Sequence, residues 1–308
     1  MHYAPTPTHP WMRFHGNEIY IKREDLLPFS FGGNKLRIAD ALFADMAQLG
    51  GDHIIAYGPP TSNLCRMIAN RAASQNLRCT ILCGVDGTAA REGSNATLVE
   101  SFGAELRCCD KSAVAQTVEA ILEQSQRQGN RPYYIYGDKY GHGKEAVAAG
   151  AYVAVYAEIR QQEAALGLRF DSIYLACGTG MSYSGLLAGR IAQGGTADII
   201  AISVARSREQ AMPYLHRTLD SLVSSPDKPI HFIDDYRLDY GRSHAPIHQS
   251  IREALTQTGI ALDPIYTGKA FWGMKEHILS QSIEGRNILF IHTGGTPLFF
   301  DHIKEIFV

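Results

Sequence analysis

The feature that most constrains this chain is an alternation along its length. Short runs rich in Ile, Val, Leu and Tyr are each followed by a longer segment of helical period. Parallel strands joined by crossover helices give this pattern, so the expected fold class is α/β. Strands are expected at Glu18 to Lys22, His53 to Tyr57, Arg78 to Cys83, Glu105 to Cys109, Tyr133 to Tyr136, Ser172 to Cys177, Ile199 to Val204 and Asn287 to His292. Between them, Leu36, Leu42, Met46 and Leu49 share one helical face, and Val153, Tyr156, Ile159 and Glu163 share another. At 308 residues the chain is long enough for one large or two medium domains. No repeat or Gly/Ser-rich linker separates them, and the stretch Ser221 to Tyr240 is the least regular, expected as a surface loop or an insertion near the site.

Three junctions combine glycine with hydroxyl, amide or amine side chains where a loop or strand gives way to a helix. In Phe31-Gly32-Gly33-Asn34-Lys35, two glycines permit a tight path and place Lys35 at a helix start, where the helix dipole favours a neutral amine. A lysine in that position is more often a solvated charge, so its neighbours decide its meaning. Cys177 to Gly185, CGTGMSYSG, follows the apolar run SIYLAC and reads as an anion cradle: helix N-terminal N–H groups with the hydroxyls of Thr179 and Ser182. Gly58 to Asn63, GPPTSN, repeats the arrangement with Ser62 and Asn63, although Ser62 is equally suited to capping a helix.

The second junction approaches a dinucleotide fingerprint, which makes a dehydrogenase the competing class. Tyr183 stands where the last glycine belongs, and the strand ending in Ala205-Arg206 brings no acidic residue for a ribose. No Gly-Lys-Ser/Thr follows the glycines, which excludes a P-loop. Lys and Arg total 29 against 31 Asp and Glu, so there is no field to attract nucleic acid or a membrane surface. The six cysteines have neither CxxC nor metal-type spacing, so reduced thiols, no metal and a reducing, cytoplasmic location are expected. The N-terminal MHYAPTPTHPWMRF lacks the basic and apolar regions of an export signal.

Taken together, KREDLLPFSFGGNKLR, GPPTSNLCR, CGTGMSYSGL, DPIYTGKA and ILFIHTGGTP resemble the fold type II pyridoxal-phosphate enzymes, in particular the D-cysteine desulfhydrase and 1-aminocyclopropane-1-carboxylate deaminase family. The resemblance runs from about Tyr20 to Phe299 in one order. It implies a tryptophan synthase β-like fold of two three-layer α/β domains with mostly parallel sheets. A larger cofactor-binding domain would comprise residues 1–45 and 151–308, with a smaller domain, 46–150, inserted into it. It also implies pyridoxal 5'-phosphate as cofactor, a small amino-acid substrate and a homodimer.

By the same resemblance Lys35 is the Schiff-base lysine and Asn63 lies near the cofactor O3'. Thr179, Gly180, Met181 and Ser182 hold the phosphate, and Asn34, Thr267 and Thr293 also border the cofactor. Lys35, Ser62, Tyr240 and Tyr266 form the catalytic set, with Ser62 placed for the substrate carboxylate. Thr267 is the most informative departure, because the deaminases carry an acidic residue there, opposite the pyridine nitrogen. A neutral hydroxyl makes the ring a weaker electron sink, which favours β-elimination over ring opening of a cyclopropane. The reading is a lyase or deaminase of the D-cysteine desulfhydrase type; a β-replacement synthase, ring opening and a non-catalytic cofactor carrier are the alternatives.

Overall fold

The computed structural model describes residues 3–84, 93–225 and 228–307. The chain forms two compact units, Met1–Asn34 with Ala149–Val308, and Lys35–Ala148.

The first unit is built on a six-stranded sheet. Its strands are β1 (Thr8–Phe14), β2 (Asn17–Arg23), β7 (Ser172–Cys177), β8 (Asp198–Ser203), β9 (His231–Ile233) and β10 (Asn287–His292), ordered β1-β2-β10-β7-β8-β9. All neighbours are parallel except the β1–β2 hairpin. Side chains alternate across the sheet. Tyr174 packs in one core with Trp11, Ile21, Ile202, Phe290 and, from helix α10 (Thr267–Ser280), Phe271. Ile173 and Leu175, also buried, point the other way, where helix α7 (Met181–Ala192) covers β7 and β8. Parallel pairing puts the loops after β2, β10 and β7 at one edge of the sheet, beside each other, as His292 pairs with Arg23 and Ile291 with Leu175. Open α/β sheets bind ligands at that carboxyl edge.

The second unit has a four-stranded parallel sheet of β3 (His53–Tyr57), β4 (Arg78–Gly84), β5 (Glu105–Cys109) and β6 (Pro132–Tyr134), ordered β5-β4-β3-β6. Ile55, Leu82 and Tyr134 meet Val118 and Ile121 of helix α4 (Val114–Arg127), while helix α2 (Asn63–Ser74) packs on β3 and β4. Helices α1 (Lys35–Gln48) and α3 (Ser94–Ser101) pack against α2.

Every expected strand is present to within a residue or two, and two further strands were not legible. β1 contains Pro10, which reads as a breaker; the structure keeps it on an edge strand beside a bulge, where a missing N–H costs least. β9 is three residues long, inside the stretch expected to be loop; of that stretch, Pro226 and Asp227 lie outside the described residues. On α1, Leu36, Leu42 and Met46 are buried as expected, whereas Leu49 lies beyond the helix and is exposed. On the other predicted face, Tyr156, Ile159 and Glu163 are buried in helix α6 (Val153–Leu166) and Val153 is half-buried. All six thiols are free, and burial pushes those of Cys65 and Cys83 up to about 11 and about 12, as expected of structural cysteines.

Candidate active site

The path into Lys35 is a strained loop held by buried groups. Ser30, Phe31, Gly32 and Gly33 all take positive φ, at 48°, 62°, 68° and 101°. Only glycine fits the last two, because a Cβ on Gly32 would lie 1.9 Å from the Asp25 carbonyl oxygen and one on Gly33 2.9 Å from that of Thr293. Glu24 anchors this loop. Its buried carboxylate accepts from Thr6 Oγ1 at 2.6 Å and Tyr152 Oη at 2.8 Å, and its carbonyl accepts from the Gly33 N–H at 2.9 Å. Such strain persists only where surrounding contacts over-determine it, and it concentrates at functional sites.

Asn34 then ties three expected site segments together. Its N–H donates to the Thr293 carbonyl at 3.0 Å, and its Nδ2 donates to Ser182 Oγ at 2.9 Å. Both side chains are buried, so Asn34 orients the Ser182 hydroxyl, whose proton remains for an acceptor. Lys35, the next residue, is half-buried and opens α1.

At the start of α7, Gly180 adopts φ 99° as N-cap and offers no side-chain acceptor. The first intrahelical bond runs from Ser184 N–H to the Gly180 carbonyl, 2.8 Å, so the N–H groups of Met181, Ser182 and Tyr183 have no acceptor within the helix. Positive potential and free donors converge there, which suits a phosphate. Met181 contributes backbone only, its side chain being buried. Tyr183, which breaks the dinucleotide fingerprint, has a structural use: its hydroxyl accepts from the His231 N–H at 2.9 Å.

Tyr266 and Thr267 sit on a turn organised by Asp263, a fully buried carboxylate. Its Oδ1 accepts from the N–H groups of Ile265 (3.0 Å) and Tyr266 (2.8 Å), and its Oδ2 from Thr267 N–H (3.1 Å) and Thr267 Oγ1 (2.7 Å). Burial still holds the carboxyl above its ordinary range, against the lowering effect of these donors. Tyr266 Oη lies 2.6 Å from Tyr240 Oη, and the Tyr266 ring borders Gly178, whose added Cβ would be 3.7 Å from it. The expected phenol pair is thus assembled beside the α7 loop.

Thr267 departs from expectation. It is completely buried, and its hydroxyl both donates to Asp263 and accepts from the Asp263 N–H at 2.8 Å. Its oxygen is therefore committed to capping the turn instead of facing a ligand. Thr293, on the loop after β10, is buried at 9% exposure and brings a further hydroxyl to the same sheet edge.

In the second unit, Ser62 and Asn63 open α2. Ser62 Oγ accepts from Cys65 N–H at 3.1 Å, so the capping role is real, and the same hydroxyl also hydrogen-bonds the Cys65 thiol. The N–H groups of Asn63 and Leu64 have no intrahelical acceptor, which leaves an anion site at this helix start. Asn63 is half-buried, with Oδ1 held by Asn95 Nδ2 at 3.1 Å.

A family model described as "Pyridoxal-phosphate dependent enzyme" matches residues 1–294. The chain belongs to the pyridoxal-phosphate dependent enzymes. Within that family it is 34% identical over 321 residues to D-cysteine desulfhydrases of Salmonella paratyphi A and Salmonella typhimurium, covering 98% of this chain and 95% of each relative. Among solved structures, a homologue of ACC deaminase superposes with TM-score 0.87 at 28% identity, over 99% of this chain and 93% of that one. A cysteine synthase from Entamoeba histolytica shares the fold, with TM-score 0.67 at 15% identity. The residues present fit the cofactor: a glycine-capped helix start whose first N–H donors have no acceptor within the helix, for its phosphate; hydroxyls at 182 and 293; and a lysine opening α1.

Sequence reasoning missed Glu24, Asn95, Asp263 and Lys269. Of these only Asp263 carried a local signal, an acidic residue one turn ahead of a helix start. Lys269 is fully buried, donates to the Val204 carbonyl at 2.7 Å, and is pushed down to about 8 by burial.

Proposed function

We propose that this pyridoxal-phosphate lyase eliminates the β-substituent of a small D-amino acid, of which D-cysteine is the model: D-cysteine and water give pyruvate, ammonia and hydrogen sulfide. The observation that carries the reading is the Tyr240–Tyr266 phenol pair at 2.6 Å beside the glycine loop after β7. Two hydroxyls sharing one hydrogen bond form a proton source suited to a departing thiolate. The near full-length likeness to D-cysteine desulfhydrases supports the same class.

Bound pyridoxal phosphate supplies an electron sink for the pair released at the substrate α-carbon. Lys35 would hold the cofactor through its side-chain amine, and that amine, when free, would accept the substrate α-proton. Ser62 and the N–H groups of Asn63 and Leu64 would bind the substrate carboxylate. The backbone of Gly180 to Ser182, with the hydroxyls of Thr179 and Ser182, would hold the phosphate. Asn63 would donate to the phenolic oxygen of the ring, and Thr293 would offer a neutral hydroxyl to its nitrogen. No carboxylate faces that nitrogen in this assignment, which suits a good leaving group better than an unactivated carbon–carbon bond. The subunits act as a homodimer in the cytoplasm.

The test is a panel of D- and L-amino acids with β-leaving groups, assayed for keto acid and ammonia release, on the wild type and Tyr266→Phe. Elimination from D-cysteine, reduced roughly 10²-fold in the variant with little change in KM, is expected. Turnover of the cyclopropane substrate alone, or product formation only with an added nucleophile, would place the enzyme with the deaminases or the synthases instead.

A further inference from the structure

We infer that Asn95 is a positioning residue that sets which end of the Asn63 side chain faces the cofactor; this rests on the assignment of Asn63 to the phenolic oxygen. Asn95 lies in the first turn of α3 and is completely buried. Both protons of its amide are used: Nδ2 donates to the Thr61 carbonyl at 2.9 Å and to Asn63 Oδ1 at 3.1 Å. Arg66, also buried, approaches the same Asn63 oxygen with Nη2 at 3.5 Å.

The polarity of this chain follows from chemistry alone. A backbone carbonyl can only accept, so the Asn95 group facing Thr61 must be its NH₂. The second proton of that NH₂ meets Asn63, so the Asn63 atom facing it must be oxygen. A guanidinium can only donate, and it meets the same oxygen. The two ends therefore fix both amide orientations, which at an isolated asparagine differ little in energy. What remains on Asn63 is its NH₂, on a half-buried side chain at the start of α2. A phenolate oxygen accepts only, so an NH₂ stabilises it and a carbonyl would repel it. Packing does not explain an asparagine at position 95, since its Oδ1 is buried and finds no donor among the described residues. Its two donated bonds are what the residue supplies.

The experiment uses the cofactor-loaded enzyme and reads the pH midpoint of its visible absorption band, with thermal unfolding recorded alongside. The variants are Asn63→Ala, Asn95→Ala, the double variant, and Asn95→Asp, which preserves shape but replaces the donor with an acceptor. Losing a donor to the phenolate makes that oxygen more basic, so the proton it shares with the lysine nitrogen is held more tightly. The midpoint is expected to rise by about one pH unit in Asn63→Ala, in either Asn95 variant, and by no more in the double variant. If Asn95→Ala does not fold, Asn95→Asp carries the comparison. A wild-type midpoint in the Asn95 variants, or additive shifts in the double, overturns the inference while leaving the role of Asn63 intact. An unchanged midpoint in Asn63→Ala overturns both.

Discussion

Replacing Asp263 by alanine removes the acceptor on which the Tyr266 turn is built. Four donors lose their partner: the N–H groups of Ile265, Tyr266 and Thr267 and the Thr267 hydroxyl, at 2.7 to 3.1 Å. Ile265 and Thr267 are 1% and 0% exposed, so water does not reach them without opening the fold. Each orphaned donor costs about 1–3 kcal/mol, and a water admitted to the vacated space recovers part of the sum. The loss of a buried charge is an offset, because burial outweighs the hydrogen bonds at this carboxyl. The net expectation is a loss of about 3–5 kcal/mol.

Asparagine keeps Oδ1 and its two backbone donors but turns an NH₂ toward Thr267, so about half that loss is expected. The carboxyl's folded pKa lies above 3.8, so the folded chain binds this proton more readily than the unfolded chain. Its contribution to stability therefore falls as pH rises from 3.8 through the folded value, and Asp263→Asn abolishes that slope. Urea unfolding followed by circular dichroism, at several pH values, measures all three quantities. An alanine variant within about 1 kcal/mol of wild type, or an asparagine variant less stable than the alanine one, would refute the reasoning.

Three further outcomes are expected. Lys35→Ala loses the visible band and borohydride fixation of cofactor, with activity down at least ~10³-fold; retention of the fixed adduct would remove Lys35 from its assigned role. His53, 1% exposed and bonded to Ser125 Oγ at 2.7 Å and Thr80 Oγ1 at 2.9 Å, is held by burial at about 4 against an ordinary 6.5. Its stabilisation is complete above pH 6.5 and is lost as pH falls toward 4. The size is up to about 3 kcal/mol, and a His53→Gln variant with the same pH slope would contradict it. Gly33→Ala places a Cβ 2.9 Å from the Thr293 oxygen at φ 101° and should cost about 2 kcal/mol with weakened cofactor binding, read by thermal unfolding and cofactor titration.

Much of the fold was readable because its determinants are local. Strand and helix periods are set by neighbours a few residues apart, and the glycines at 32, 33 and 180 answer to their own φ, whatever the rest of the chain does. Hence the parallel α/β class, most strand positions and the three glycine-flanked junctions stood out in the amino-acid order, and the junctions proved to lie at carboxyl ends of strands or the loop leaving β2. Partners of buried polar groups are not local. Glu24 finds Tyr152 across 128 positions, and Asn34 finds Ser182 across 148. Asn95 reads the Asn63 amide only because α3 packs on α2. Thr267 looked like a ring contact from its place in the motif, yet the desolvated carboxylate of Asp263, itself in need of donors, takes its hydroxyl. Sequence order therefore specified which residue types arrive at the sheet edge. Only the tertiary structure decided which of their hydrogen-bonding atoms were left over for the cofactor and substrate proposed above, because burial forces every polar group to settle its partners first.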